Sequence, residues 1–292
     1  MYKVQKISVL TSFLGIWLTS YLSNTNQLFL GFFLIFTFGI LHGANDLVLI
    51  SQLKNKKKRN FITILISYVA VVLISALLFI KIPIIALTLF ILVSAYHFGE
   101  QHWQDLIIDG NRIITKIFQF MYGLAILLSL FTFNKQEVIE IVFKITAIAI
   151  TEKTISSVFF LVIVLFLIHT YILYKNSISF KKIIIEQLFY MMLLCLVFKV
   201  SSLIWGFTIY FIFWHSIPSL NDQIQFLYGK YSFSNFKKYF KSAFLYWIIS
   251  LVGISTLYFV SKDMIIFDSL FFSFLASITF PHAIVILKMF EK

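Results

Sequence analysis

Ten stretches of mostly apolar residues divide this chain, at about 7–23, 27–52, 60–80, 83–103, 113–133, 154–174, 180–200, 203–217, 240–260 and 266–290. Crossing a bilayer takes roughly 20 such residues. They must be helical, because lipid offers no partner to a backbone N–H or C=O and a helix satisfies its own. The pattern predicts an all-α polytopic transmembrane helical bundle of about 10 helices, one transmembrane domain over residues 1–292. The eighth stretch is the shortest. Residues 134–153, apolar with interspersed charges, are expected to lie along the interface. The first stretch follows Lys3 and Lys6 but lacks a clear small-x-small cleavage site, so it reads as a retained helix.

Charge placement supports the layout. Only 12% of residues are charged and 60% are hydrophobic, whereas a soluble domain carries about 25% charged residues. With the N-terminus in the cytoplasm, 18 Lys and Arg fall inside, among them the run from Lys54 to Arg59 and Lys292, and 6 fall outside, among them Lys262. That bias follows the positive-inside rule and places both termini on the cytoplasmic side of a cell (inner or plasma) membrane. It explains the net charge of +12 as a topology determinant in contact with anionic lipid, and it argues against a nucleic-acid partner. The single cysteine, Cys195, excludes an internal disulfide and a cysteine metal site.

Histidine is costly in a bilayer and usually faces a bundle interior or a water-filled cavity. Five of the six histidines lie inside the proposed spans: His42, His97, His169, His215 and His282. Each is on an even-numbered span, about 15, 14, 15, 12 and 16 residues from its start. At 1.5 Å per residue the spread in depth is about 6 Å. Five imidazoles on co-directed helices at one level suit a shared cation, and imidazole is a good ligand for iron, copper, nickel and zinc. Helix-breaking residues stand beside most of them: Gly43 after His42, Gly99 near His97, Pro218 near His215 and Pro281 before His282. Irregular backbone at membrane depth is tolerated where it lines protein or a cavity. His169 lacks such a neighbour and His102 sits at a span's end, so both read as ordinary interhelical hydrogen-bonding groups. Asp46 lies one turn after His42 and Glu100 three residues after His97, and both are candidates to orient an imidazole.

Other chemistries lack their signatures. There is no HExxH, GxSxG, phosphate-binding loop or dinucleotide fingerprint. No lysine sits in the middle of a span to form a Schiff base with retinal.

The segments LHGANDLVL, YHFGEQHW, YFIFWHS and FPHAIVI, in this order between residues 41 and 285, resemble the Brp/Blh family of membrane-bound bacterial and archaeal β-carotene 15,15'-dioxygenases. The resemblance implies cleavage of β-carotene by O2 to two retinals, with non-haem Fe(II) held by histidines. Carried over, His42, His97 and His215 match family iron-site histidines, and His282 matches the family's PH motif. The family has a second histidine four residues after the position of His215; here it is Ser219. The position of His102 often carries an acid in the family. His282, ahead of His169, is expected to complete a four-histidine site; the alternatives are iron held by three ligands, action on another carotenoid, or an inactive member. The bilayer itself holds the substrate, and a retinal-binding rhodopsin is implied downstream. Tyr96, Phe98, Phe211 and Trp214 flank the histidines and are expected to line a substrate tunnel, since aromatic faces pack along a polyene.

Two other readings stay open. Convergent intramembrane histidines also serve metal-ion or proton-coupled transporters, though no internal repeat of the transporter kind is visible. A non-catalytic carotenoid-binding relative would carry the same apolar surfaces.

Overall fold

The computed structural model describes residues 2–53, 60–104, 112–261 and 264–290. The basic run from Lys54 to Arg59, Lys262 and Lys292, which carry part of the charge argument, lie outside the described residues. The described residues form helices and no strand. In chain order these are α1 Tyr2–Thr19, α2 Asn24–Gln52, α3 Phe61–Lys81, α4 Pro83–His102, α5 Arg112–Phe133, α6 Lys135–Thr146, α7 Glu152–Asn176, α8 Ile178–Val200, α9 Leu203–Tyr228, α10 Phe233–Ser261 and α11 Met264–Phe290. Nine of them, all but α1 and α6, are long and apolar enough to cross a membrane. The chain is an all-α, multi-pass membrane protein. Lipid-facing surface is plain on α3, where Ile66, Leu73, Ile74, Leu77 and Ile80 are all exposed.

Local chemistry sets the ends. Asn60, Thr151 and Ser177 cap α3, α7 and α8, each accepting a backbone N–H of the first turn at 3.2 Å. Gly229, in the left-handed conformation at φ 80°, closes α9. The eighth span is longer than its sequence promised: it continues past 217 to Tyr228. Pro218 does not stop it, because a π-helical turn over Tyr210–Ser216 precedes it and Pro218 falls in the first turn of the resumed α-helix, where its missing N–H costs little. Pro281 likewise sits inside α11 without ending it. The segment 134–153 contains the short helix α6, which stops at Ala147 with φ 57°.

The chain forms two compact units. The first comprises residues 1–34, 94–143 and 148–215. Within it, α4 and α5 approach each other backbone to backbone. A Cβ at Gly99 would stand 1.8 Å from the Gln119 carbonyl oxygen, and one at Gly123 would stand 1.9 Å from that of Ala95. Gly99 is therefore a helix-crossing residue, not a helix breaker. Beside this crossing Trp103, Phe118, Tyr122, Phe166 and Phe180 pack edge-on or stacked, with Trp103 and Phe118 centroids 4.9 Å apart. The start of α9 is capped by side chains: Gln27 Oε1 accepts from Ser202 N at 3.1 Å, and Glu137 accepts from Leu203 N at 3.2 Å.

The second unit comprises residues 35–93, 144–147 and 216–292. Leu41, Ile224, Tyr239 and Ala243 form one buried cluster, Leu49, Val285, Ile286 and Met289 another, and Phe79, Ala86 and Ala276 a third. A second π-helical turn, Ile35–Gly39, interrupts α2. The Trp247 indole reaches its carbonyls, with Nε1 3.0 Å from Thr37 O and 3.2 Å from Phe36 O.

Candidate metal centre

In the second unit, His42 and His282 meet edge-on with ring centroids 4.7 Å apart and planes at 90°. Both are buried. His42 rides on the short α-helical piece Ile40–Gly43 that follows the π-turn, and its Nδ1 donates to the Gly39 carbonyl. A carbonyl only accepts, so the His42 proton is on Nδ1 and the Nε2 lone pair is left for a ligand. His282 Nδ1 donates to Asp46 Oδ1 at 2.8 Å, and the Tyr68 hydroxyl donates to Asp46 Oδ2 at 2.8 Å. The carboxylate fixes the same tautomer, with Nε2 again the donor atom. Two imidazoles, each held at Nδ1 from behind and each able to offer Nε2, form a donor set that suits a borderline divalent cation such as Fe(II).

Asp46 thus orients His282, not the His42 beside it in sequence. The reason is local. The backbone leaves helical geometry at Asn45 (φ −98°, ψ 11°), so one-turn spacing no longer puts positions 42 and 46 on one face. The pocket behind His42 is completed by Tyr239, whose hydroxyl lies 2.7 Å from Gln223 Oε1 and 3.1 Å from the His42 carbonyl. Gln223 Nε2 donates to the Ser219 hydroxyl at 3.1 Å, and Ser219 is buried.

In the first unit, His97 and His215 form a pair of the same kind, with centroids 4.7 Å apart and planes at 79°. Both are buried to within 2%. Phe98 packs 4.5 Å from the His215 ring and Phe211 stacks on it at 5.6 Å. The π-turn bearing His215 is gripped by side chains, one of them Gln101, whose Nε2 donates to the His215 carbonyl at 3.1 Å. Glu100 accepts from Tyr96 at 3.3 Å. Trp214 packs on Tyr190 at 5.2 Å and its indole N–H is bound to Ser12, so it braces the wall behind His215.

The remaining histidines have other partners. His102 Nε2 donates to Gln187 Oε1 at 2.6 Å and its ring stacks on Tyr122 at 4.7 Å. His169 Nδ1 donates to Leu165 O of its own helix at 2.8 Å.

A family model described as beta-carotene 15,15'-dioxygenase matches residues 33–290. The chain belongs to that family. The matched region of this beta-carotene 15,15'-dioxygenase family member contains both histidine pairs and leaves α1 outside. No curated protein and no solved structure matches the chain. Tyr68, Gln101 and Tyr239 escaped the sequence reading of this dioxygenase-family site, since an isolated Tyr or Gln in an apolar run carries no pattern. A cavity of about 840 Å³ also escaped it. Its walls include Phe61, Ser67, Tyr68, Pro281, Ile284 and Lys288, so it adjoins the residue before His282 and the tyrosine that donates to Asp46.

Proposed function

We propose that this chain cleaves β-carotene with O2 at the central 15,15' double bond, giving two molecules of all-trans-retinal, and that one Fe(II) is held by His42, His97, His215 and His282. The observation that carries this reading is the arrangement of those four residues as two buried, edge-on imidazole pairs within the region matched by the dioxygenase family. Fe(II), when bound, would supply the redox chemistry that lets O2 react with a double bond of the conjugated polyene. The chain's own residues do the rest. Asp46 and the Gly39 carbonyl engage His282 and His42 at Nδ1, so both rings would hold the metal through Nε2. Phe98 and Phe211, packed on His215, offer aromatic faces to the middle of the polyene. The largely apolar cavity beside Pro281 is within the usual range for a ligand pocket, about 300–1,000 Å³, and suits an apolar chain next to His282.

The substrate dissolves in lipid and never needs to leave it, which fits a chain whose described helices are mostly membrane spans. The membrane is the cell (inner or plasma) membrane, and the product suits a retinal-binding rhodopsin as its consumer.

Expression in a β-carotene-producing bacterium tests the reaction. Loss of orange colour with two retinals formed per carotene lost is the expected result. Pigment that co-purifies uncleaved would make the chain a binding relative, and metal-dependent uptake without bleaching would make it a transporter.

Two substitutions test the ligand set. Asp46→Asn keeps the shape but removes the charge that polarises His282, and metal affinity is expected to fall by about 10–100-fold, read by titrating the purified protein with Fe(II) or Co(II). Ser219→His places an imidazole where the family pattern has one. With His282 already the fourth ligand, metal stoichiometry is expected to stay unchanged. The larger ring must displace the Gln223 bond at a buried position, at a stability cost of about 1–3 kcal/mol. A rise in bound metal would show that His282 leaves a coordination position unfilled.

A further inference from the structure

The π-turn that bears His215 is clasped by α1, and we propose that Ser8 and Ser12 are positioning residues for His215. The inference rests on the metal-centre reading above. Ser8 Oγ donates to the Phe213 carbonyl at 2.6 Å. Trp214 Nε1 donates to Ser12 Oγ at 2.8 Å, and Ser12 Oγ donates to the Ser8 carbonyl at 2.8 Å. Both serines are buried, at 2% and 0% exposure.

The need for an outside donor follows from the backbone. Where an i→i+5 ladder returns to i→i+4 spacing, one carbonyl is passed over. The i+5 partner of the Phe213 carbonyl is residue 218, and Pro218 has no N–H to give. A carbonyl left without a donor at membrane depth costs several kcal/mol. Ser8 supplies the donor from a different helix. Ser12 then holds the side chain of the next residue, so the two positions before His215 are both fixed to α1. A slip of one residue would turn His215 by about 100° around the helix axis and carry its ring away from His97.

The rest of α1 is built for the same contact. Ser8, Ser12, Gly15 and Thr19 are spaced 4, 3 and 4 residues apart, which places them on one helical face. A Cβ at Gly15 would stand 2.6 Å from Ile209 Cδ1, and Trp205 Nε1 donates to Thr19 Oγ1 at 2.9 Å. The helix is thus seated along α9 from Trp205 to Trp214. It precedes the start of the family match at residue 33, so the matched region alone does not include the parts that set the His215 turn.

The test uses the full chain in detergent and Co(II) as the probe, because its visible d–d bands report ligand number and geometry. Ser8→Val and Thr at the same position are nearly isosteric, and only Thr keeps a hydroxyl. Ser8→Val and Ser12→Ala are each expected to weaken Co(II) binding by about tenfold and to alter the band shape, while Ser8→Thr retains the wild-type values. Ser8→Ala, which adds no bulk, separates loss of the hydrogen bond from a folding defect. If these variants melt at a lower temperature without metal but keep wild-type Co(II) affinity and spectrum, the serines only hold the fold and the proposal is overturned. A wild-type chain that binds no Co(II), Fe(II) or Zn(II) overturns the metal-centre reading first, and the positioning role with it.

Discussion

His42→Ala is expected to reduce retinal formation to background, a loss of at least ~100-fold, since removing even an outer partner of a ligand costs up to about that much. The substitution is clean. His42 is buried, and its Nδ1 engages a backbone carbonyl of its own helix, a partner that carries no charge. Insertion, expression and helical content are therefore expected to match wild type, measured by membrane yield and circular dichroism. His282→Ala should abolish retinal in the same assay but behave differently as a protein. It strips Asp46, which is fully buried, of one of its donors, leaving only the Tyr68 hydroxyl from this network. An uncompensated buried acceptor costs about 1–3 kcal/mol, so this variant should also melt earlier. Retinal production by His42→Ala near the wild-type rate would remove His42 from the ligand set.

The largest effect on folding is expected at the crossing of α4 and α5. The obstacle at Gly99 and at Gly123 is the backbone carbonyl of the facing helix, at 1.8 and 1.9 Å from the added Cβ. A flexible side chain would swing away; a helix backbone cannot. Gly99→Ala or Gly123→Ala must therefore push the two helices apart and loosen the neighbouring Trp103, Phe118 and Tyr122 packing, which is buried to within 3%. The penalty should reach or exceed the ~3 kcal/mol upper range of overpacking, and in a membrane protein close contact of small residues is itself the main attraction between helices. Size-exclusion profiles in detergent should show aggregate in place of a single peak. A monodisperse Gly123→Ala with unchanged melting would mean that the helices do not approach this closely.

The membrane architecture was legible because lipid enforces it: a 20-residue apolar run has almost nothing else to become. Depth along a membrane helix is counting, so each histidine could be given an expected level on its own helix. Pairing was not legible. Counting gives height along the axis but not rotation, and rotation here is set by two π-turns whose sequences, IFTFG and YFIFWHS, carry no mark of i→i+5 bonding. The Asp46 contact shows the same blindness. One-turn spacing pointed to His42, but the break at Asn45 redirected the carboxylate to an imidazole 236 residues away. Glycines and prolines were noticed beside the histidines, yet their roles proved distinct. Gly99 is a contact surface, Pro218 withholds a donor, and Pro281 passes through an unbroken helix.

A π-turn amounts to one surplus residue in a helix, and such a residue normally persists only when something outside the helix compensates the ladder. Trp247 does so for the turn before His42, as Ser8 does for the turn before Pro218. Excising a single residue from either turn would let the backbone relax into a uniform coil, freeing those donors and moving the downstream imidazole about a quarter of the way around its axis. The chain therefore retains a length that is locally unfavourable, and natural shortening at these two places would yield sturdier descendants in which His42 no longer faces His282 and His215 no longer faces His97.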